Sequence, residues 1–294
     1  MKNYNATDLK LLNLWSNDGR IFANWSKGSR TLFYSAFCEL RSRLLKRLTP
    51  HCTHVKNRGG VKGTVRWLSR RLDNFSFAAR FDIASYYNSI NHSMLLDLFK
   101  TEICDDDLYD VVRSYIQFPD YRNTGKGIVA GGSISPLLGA LYLLPLDRIM
   151  YKYASTGRIF YIRYMDDIII LSKTRWHLRK AISKLNGIIS SLRLTLHPEK
   201  KFIGRINKGF DFLGYRFKPN CKLRPSKTAI QRFVKHARRL CEQGADWNRL
   251  RLYVTRWLGY IHGGLKGLVS RKGGIKYYLV FILKQLDIKN IQNI

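Results

Sequence analysis

Aliphatic and aromatic residues surround an adjacent pair of carboxylates in residues 158–171. Apolar side chains dominate both sides of Asp166 and Asp167, and the four residues from Ile168 onward are all aliphatic. This pattern predicts a β-hairpin with the acidic pair at or beside its turn and a second strand buried on both faces. The pair is either a polar turn or two charges at a core edge that a divalent cation neutralises.

A third carboxylate, Asp82, occurs in a similar setting upstream. It follows the apolar end of a predicted strand and precedes small and aromatic residues in the segment 80–90. Three carboxylates on two strand ends can hold two metal ions about 3.5–4 Å apart, which activate an attacking oxygen and stabilise a leaving oxygen in phosphoryl transfer. This second acidic site favours metal binding over a plain polar turn for Asp166 and Asp167.

Apolar residues recur at helical spacing in several other segments. Capping residues and breakers set their ends. We predict one helix over residues 31–48 that Pro50 ends, a short one around residues 94–99, one over 178–192 capped by Thr174, and two more from Ser226 to Gly244 and from Asp246 to Gly263. Ser135 as N-cap and Pro136 at the first helical position predict a further helix start. The Pro-containing segment 218–227 predicts a hinge before the last two of the listed helices.

The composition indicates a polyanionic partner. Lys and Arg number 52 against 20 Asp and Glu among 294 residues, which gives a net charge of +32. Such a chain should bind nucleic acid with strong salt dependence, and passive RNA binding would account for the charge alone. A hydrophobic content of 45% is enough for a core in one large domain or two lobes.

The cysteines and the apolar segments predict a reduced, cytoplasmic and soluble protein. Five scattered cysteines form no C-x-x-C pair. His51, Cys52 and His54 lie close together, but no second ligand pair follows at zinc spacing. The N-terminus lacks an apolar signal core, and no segment approaches the ~18 apolar residues of a membrane span.

The acidic motifs carry a family resemblance. Tyr164-Met165-Asp166-Asp167 after a strand, with Phe81-Asp82-Ile83 and two aromatic residues about eighty positions earlier, resembles the palm of reverse transcriptases. The context is most similar to bacterial members related to group II intron, retron and defence-associated enzymes. The resemblance covers roughly residues 50–262. It implies an α+β right-hand polymerase, with fingers and an antiparallel palm in residues 1–218 and a small helical thumb with the C-terminal segment in 219–294.

The resemblance also implies roles at the acidic site. Asp82, Asp166, Asp167 and the backbone carbonyl of Ile83 would bind two Mg²⁺ ions, with Mn²⁺ as an alternative. Tyr87, five residues after Asp82, matches the aromatic steric gate whose ring lies where a ribose 2′-hydroxyl would go. The implied substrates are therefore deoxynucleoside triphosphates.

A second motif of the family, Gln-Gly-x-x-x-Ser-Pro, is partly present. Gly131, Ser135 and Pro136 match it, which implies that they lie against nucleotide and template, whereas Ala130 stands where glutamine is usual. That glutamine helps hold the nucleotide sugar in the family. Its absence leaves substrate positioning, and with it fidelity, open for this chain.

Three further regions match by position. The basic, glycine-containing segment 51–71 falls where the fingers bind the triphosphate and template, which implies this role for Lys56, Lys62 and Arg66. Lys200 would protonate or stabilise the leaving pyrophosphate, although Lys201 or a plain surface lysine fits that position too. The alternating segment 210–217 resembles the primer grip, with Phe212, Leu213 and Gly214 at its centre.

The resemblance implies an RNA-directed DNA polymerase that uses an RNA template, a DNA or RNA primer and dNTPs. Relatives of this size imply a dedicated noncoding RNA in a retron-like or anti-phage system, and a homo-oligomer stays open. Two other interpretations remain. A catalytically dispensable RNA-binding or maturase-like protein would need the charge without the carboxylates. An RNA-dependent RNA polymerase would share the acidic palm, but Tyr87 argues for deoxynucleotides.

Overall fold

The chain divides into two units in the computed structural model, which describes residues 9–272 and 274–286. The first unit comprises Met1–Gly60 and Phe77–Ile203, and the second comprises Val61–Ser76 and Gly204–Ile294. Each contains helices together with antiparallel strands. The predicted α+β class is therefore confirmed.

The elements follow one another in an irregular alternation. In chain order they are β1 (Leu11–Asn17), β2 (Arg20–Trp25), α1 (Lys27–Leu45), α2 (Gly60–Arg71), β3 (Phe77–Asp82), α3 (Tyr86–Ser89), α4 (His92–Ile103), α5 (Asp106–Gln117), α6 (Ser135–Tyr142), α7 (Leu144–Ala154), β4 (Ile159–Tyr164), β5 (Asp167–Ser172), α8 (Arg175–Ser191), β6 (Phe202–Arg205), β7 (Phe210–Phe212), β8 (Tyr215–Phe217), β9 (Arg224–Pro225), α9 (Lys227–Glu242), α10 (Trp247–His262) and α11 (Gly274–Gln285).

Strand β5 lies at the centre of the main sheet, whose order is β4-β5-β3-β6. It pairs antiparallel with both β4 and β3. Ile168 to Leu171 are fully buried, and burial of each such side chain contributes about 2 kcal/mol. Met165 and Asp166 form the turn between β4 and β5. The predicted hairpin, with its doubly buried second strand, is confirmed.

The first unit also contains a hairpin that the pattern of residues 1–50 did not reveal. β1 and β2 pair antiparallel through Asp18 and Gly19, whose φ angles are 49° and 71°. Positive φ at both turn positions matches the right-handed twist of the strands. The next helix, α1, begins at Lys27 because Ser26 accepts the Ser29 N–H, and it ends at Leu45 rather than at residue 48.

The other predicted helices are confirmed by their caps. The side chain of Thr174 accepts the His177 N–H at the start of α8, and Asn91 accepts the Met94 N–H at the start of α4. In the second unit Ser226 caps α9 and Asp246 caps α10, as predicted. The prediction for Ser135 was off by one, because α6 already includes Ser135 and Ile134 is the N-cap.

The second unit combines the small sheet β7-β8-β9 with helices. Phe233 of α9 stacks on Trp257 of α10 at a centroid distance of 4.0 Å, and Tyr278 of α11 meets Trp257 edge-on at 5.1 Å. Aromatic pairs of this kind add about 1 kcal/mol to plain apolar burial. These rings form the core between the three helices.

Within residues 9–272 and 274–286, none of the helices combines the length and the apolar character that crossing a membrane requires.

Candidate active site

Three carboxylates meet where β3 ends and β5 begins. The antiparallel register sets Asp82 directly opposite Asp167, and Asp166 occupies the turn just before β5. The Ile83 N–H donates to the Asp166 carbonyl oxygen at 3.3 Å, and the His197 N–H donates to the Asp82 carbonyl oxygen at 2.7 Å. Sheet pairing therefore fixes the acidic cluster, which we define as Asp82, Asp166 and Asp167.

The acidic cluster concentrates negative charge in a poorly solvated place. Burial is the main cause that raises the pKa of Asp166 to about 6, and the charges of Asp167 and Asp82 raise it further. Burial also raises the pKa of Asp167, although the Arg80 guanidinium opposes that shift. Folding thus holds carboxylates together against their own repulsion. Such a cluster is suited to a bound cation.

Two cations partly neutralise the cluster. Arg80 donates to Asp167 Oδ1 from Nη2 at 2.9 Å and from Nε at 3.3 Å. Lys200 Nζ lies 3.3 Å from Asp82 Oδ2, and its side chain is 57% exposed. The structure thus brings Lys200 to the acidic cluster, as the family position implied. Arg80 was missed, although its spacing from Asp82 puts both residues on one face of β3.

The donors of the cluster suit a hard divalent cation. Carboxylate oxygens are the ligands that Mg²⁺ prefers, and burial together with the charges of Asp167 and Asp82 raises the pKa of Asp166. Within the described part of the chain, no group of three or more His, Cys, Asp or Glu side chains is already placed so that it could hold a metal ion. Arg80 and Lys200 currently engage two of the three carboxylates.

Tyr87 lies on the short helix α3 and is half-buried. A Cβ atom added at Gly139 would come within 3.2 Å of the Tyr87 ring and 3.3 Å of the Tyr86 ring. The Tyr86 hydroxyl donates to the Gly139 carbonyl oxygen at 2.5 Å. Burial raises the pKa of Tyr87, and the charge of Asp166 contributes in the same direction. Tyr87 is therefore held by close packing, within electrostatic range of the acidic cluster.

The segment from Ala130 to Pro136 packs against the N-terminal hairpin. The Ala130 N–H donates to the Ile21 carbonyl oxygen at 2.6 Å. Gly131 has φ of 73°, and a Cβ there would contact the Phe22 ring at 3.5 Å. Ser135 is fully buried, and its Oγ donates to the Val129 carbonyl oxygen at 2.6 Å. The Ser135 hydroxyl thus stabilises this loop through a buried hydrogen bond.

Arg20 is a charged residue of the site that the sequence reasoning missed. It begins β2 directly after the turn at Asp18 and Gly19, and Asn88 Nδ2 donates to the Gly19 carbonyl oxygen at 2.6 Å. The positive charge of Arg20 acts to lower the pKa of both Asp166 and Tyr87 against the larger effect of burial. The Asp18-Gly19 dipeptide, a strong hairpin signal, could have revealed it.

The predicted fingers residues belong to both units. Lys56 is exposed on a loop of the first unit. Lys62 and Arg66 belong to the second unit, where Lys62 Nζ donates to the Tyr215 hydroxyl at 2.5 Å and to the Tyr260 carbonyl oxygen. Arg66 donates to the Gly264 carbonyl oxygen. The charged ends of Lys62 and Arg66 therefore already have protein partners.

The predicted primer-grip residues form a tight hairpin turn in the second unit. Phe212 ends β7 and is buried, and Leu213 and Gly214 have φ angles of 48° and 83°. A branched side chain rarely adopts positive φ. The Gly214 carbonyl oxygen accepts the Ser226 N–H at 2.8 Å, which ties the turn to the start of α9.

A buried ion pair supports the turn of the acidic cluster. Arg163 and Asp147 are both fully buried and joined by two hydrogen bonds, one from Nε to Oδ1 at 2.8 Å and one from Nη2 to Oδ2. Arg163 Nη1 donates to the Met165 carbonyl oxygen at 2.9 Å. Removing either partner would leave an uncompensated buried charge, at a cost of about 3–5 kcal/mol.

The comparison with protein families identifies the class. The family described as reverse transcriptase (RNA-dependent DNA polymerase) matches residues 39–217. The match includes Asp82, Asp166 and Asp167 and takes in more than half of the chain. This chain belongs to the reverse transcriptase family.

The chain is also similar to part of a curated bacterial protein. Protein YkfC of Escherichia coli strain K12 is 25% identical over 46% of this chain and 45% of that protein. The chain therefore spans less than half the length of that curated relative.

Solved telomerase structures share the fold. The apo telomerase of Candida tropicalis has a TM-score of 0.56 at 11% identity, over 96% of this chain and 64% of that one. The telomerase of Candida albicans in complex with the TWJ fragment of telomeric RNA has a TM-score of 0.56 at 12% identity, over 95% and 59%. At these identities the likeness shows the fold alone, and it confirms the right-hand polymerase architecture.

Proposed function

We propose that this chain is an RNA-directed DNA polymerase that extends a DNA or RNA primer with dNTPs on an RNA template. The observation that carries the proposal is the register of β3 against β5, which places Asp82 opposite Asp167 beside the Asp166 turn. Carboxylates crowded in this way, with the pKa of Asp166 raised to about 6, are suited to hold cations at a phosphoryl-transfer centre.

In this proposal Asp82, Asp166, Asp167 and the Ile83 carbonyl oxygen would hold two Mg²⁺ ions, or Mn²⁺ in their place. The ions would supply activation of the primer 3′-oxygen and charge stabilisation at the leaving oxygen. Arg80 pairs with Asp167, and Lys200 pairs with Asp82. Lys200, more than half exposed, is also free to move to a departing pyrophosphate and neutralise it.

The other residues of the first unit shape the nucleotide site. Tyr87, packed against Gly139, would exclude a ribose 2′-hydroxyl, and this favours a DNA product over the alternative of an RNA polymerase. Gly131, Ser135 and Pro136 would form the floor under nucleotide and template. Ala130 offers no amide side chain to the sugar, so we expect lower fidelity. Arg20 places a positive charge near Asp166 and Tyr87, where it can attract a substrate phosphate.

The remaining regions would bind the template and primer. We assign fingers and palm to residues 1–218 and the thumb to 219–294, with Lys56, Lys62 and Arg66 contributing to the fingers and Phe212 to Gly214 to the primer grip. A net charge of +32 supports binding of a long RNA. We propose that this partner is a dedicated noncoding RNA in a retron-like or anti-phage system. Sequencing of RNA that co-purifies with the protein tests this, since a random transcript population would contradict it.

The test of the activity is nucleotide incorporation on a primed RNA template, with dNTPs or rNTPs and with or without Mg²⁺. The Asp166→Ala, Asp167→Ala double variant should lose incorporation. The matched control is the Asp106→Ala, Asp107→Ala variant, which changes an exposed acidic pair of α5. Absence of incorporation by the wild type, together with unchanged biological activity of the Asp166→Ala, Asp167→Ala variant, would favour the alternative of a catalytically dispensable RNA-binding protein.

A further inference from the structure

His54 connects the two loops of the active site. Its Nδ1 accepts the Met165 N–H at 3.3 Å, and its Nε2 lies 3.1 Å from the Pro136 carbonyl oxygen. Met165 immediately precedes Asp166, and Pro136 follows Ser135 in the first turn of α6. The imidazole is thus a bridge between the turn of the acidic cluster and the loop that runs from Gly131 to Pro136.

The partners of His54 determine its tautomer. A backbone N–H can only donate and a carbonyl oxygen can only accept, so Nδ1 must be unprotonated while Nε2 carries the hydrogen. Burial lowers the pKa of His54 to about 4, in keeping with a neutral ring. The neighbouring Cys52 thiol lies 3.6 Å from Nδ1. His54 and Cys52 are thus both engaged in this network.

The peptide groups around Met165 depend on such partners. Met165 has φ of 55°, a left-handed conformation that is strained for a non-glycine residue. Its N–H goes to His54 and its carbonyl oxygen accepts from Arg163 Nη1 at 2.9 Å. The Thr53 N–H donates to the Arg163 carbonyl oxygen at 3.0 Å, so the segment that carries His54 is itself tied to β4.

We infer that His54 is a positioning residue that fixes Asp166 relative to the Gly131–Pro136 loop. It holds the Met165 peptide in the left-handed conformation that directs Asp166 into the acidic cluster. Through the same ring it holds the first turn of α6, which carries the nucleotide-binding motif. This inference rests on the proposed polymerase function for its kinetic consequences and on geometry alone for its structural ones.

Two conservative substitutions at His54 each keep one of its two hydrogen bonds and remove the other. In His54→Asn the side-chain oxygen can occupy the position of Nδ1 and accept from Met165, but nothing reaches Pro136. In His54→Gln the longer amide can donate to Pro136, but no acceptor remains for the Met165 N–H. His51→Gln is the control, because His51 is a buried histidine three residues away whose ring contacts Tyr151 instead of the turn.

The first readout is independent of catalysis. Hydrogen exchange of the Met165 amide should be slow in the wild type, in His54→Asn and in His51→Gln. It should accelerate about tenfold or more in His54→Gln, because a buried hydrogen bond is lost there. Nitrogen chemical shifts of His54 should show protonation at Nε2 alone. Equal Met165 protection in the Asn and Gln variants would overturn the inference, whatever the protein catalyses.

The second readout uses the proposed activity. His54→Gln should lower kcat about tenfold and raise the Mg²⁺ concentration for half-maximal rate, because Asp166 is displaced. His54→Asn should mainly raise KM for dNTPs, because the nucleotide loop loses its tether. If both His54 variants lose the same fraction of kcat/KM, in proportion to their decrease in Tm, then His54 contributes only to packing of the core. If the wild type incorporates no nucleotide, the proposed function fails, and Mn²⁺ binding by the purified variants replaces the kinetic comparison.

Discussion

Arg80 holds Asp167 through an ion pair of 2.9 Å between Nη2 and Oδ1. Asp167 also lies opposite Asp82 in the sheet register, so the guanidinium occupies the edge of the acidic cluster. The Arg80 guanidinium and a metal ion bound from solution would therefore compete for the Asp167 carboxylate.

We predict that Arg80→Met makes the protein more dependent on Mg²⁺ for stability. Without metal, Asp167 loses its partner and the free energy of unfolding should fall by about 1–3 kcal/mol. With Mg²⁺ the competing guanidinium is gone, so the rise in Tm on adding Mg²⁺ should exceed that of the wild type. Arg216→Met is the matched control, since Arg216 pairs with Asp211 at 3.0 Å near the surface, where such pairs contribute under about 1 kcal/mol. An unchanged Mg²⁺ response in Arg80→Met would contradict the competition.

We predict that Asp166→Asn stabilises the metal-free protein above pH 6. The pKa of Asp166 in the folded state, about 6, exceeds the ordinary aspartate value of 3.8, so between these pH values the folded state binds a proton that the unfolded state has lost. Stability of the wild type therefore falls as pH rises from about 4 to 6, and the full penalty of about 3 kcal/mol persists above pH 6. Thermal unfolding in EDTA should show a higher Tm for the variant at pH 8 and no difference near pH 3.5. A lower Tm at pH 8 would mean that the carboxylate is not destabilising.

We predict that Tyr87→Ala raises the relative use of rNTPs, because the ring that fills the space beside Gly139 is removed. The measurement is the ratio of kcat/KM for dNTP and rNTP. Tyr86→Phe serves as the control, since it removes only the hydroxyl that bonds the Gly139 carbonyl oxygen. That change should cost about 1–2 kcal/mol of stability without altering sugar preference. Selectivity that stays the same in Tyr87→Ala would argue against the steric gate.

We predict that Lys62→Met acts first on stability. The Lys62 ammonium bonds the Tyr215 hydroxyl and lies 4.3 Å from the centroid of the Tyr260 ring. Its removal should lower the free energy of unfolding by about 1–3 kcal/mol, measured by urea denaturation. Lys56→Met, at an exposed loop position, should change it by less than about 0.5 kcal/mol. A rise in KM for dNTPs with unchanged stability would instead support a fingers role for Lys62.

Local signals in the sequence were sufficient for several elements, but not for β1 and β2. Alternation and aliphatic content predicted the hairpin around Asp166, and Ser226 and Asp246 predicted two helix starts, because a cap acts within three residues of its own position. Ser135 showed the limit of this precision, since the helix began one residue earlier than its capping chemistry indicated.

The contacts that the sequence did not reveal are those between distant positions. His54 and Met165 are separated by 111 positions, and nothing in either local segment specifies the pairing. No local pattern in the sequence indicated a role for Asp147, which the structure buries against Arg163. Arg80 could have been found, because strand periodicity alone places it beside Asp82.

The N-terminal hairpin determines which fragments of the chain keep the contacts of Ala130 and Gly131. Ala130 donates its N–H to Ile21, and Phe22 covers Gly131. The family-matched stretch begins only at residue 39, so a fragment trimmed to that stretch would leave a backbone donor unpaired and a motif glycine uncovered. A fragment that keeps these contacts of Ala130 and Gly131 must therefore include β2 and its partner strand β1, which lie outside the family-matched stretch.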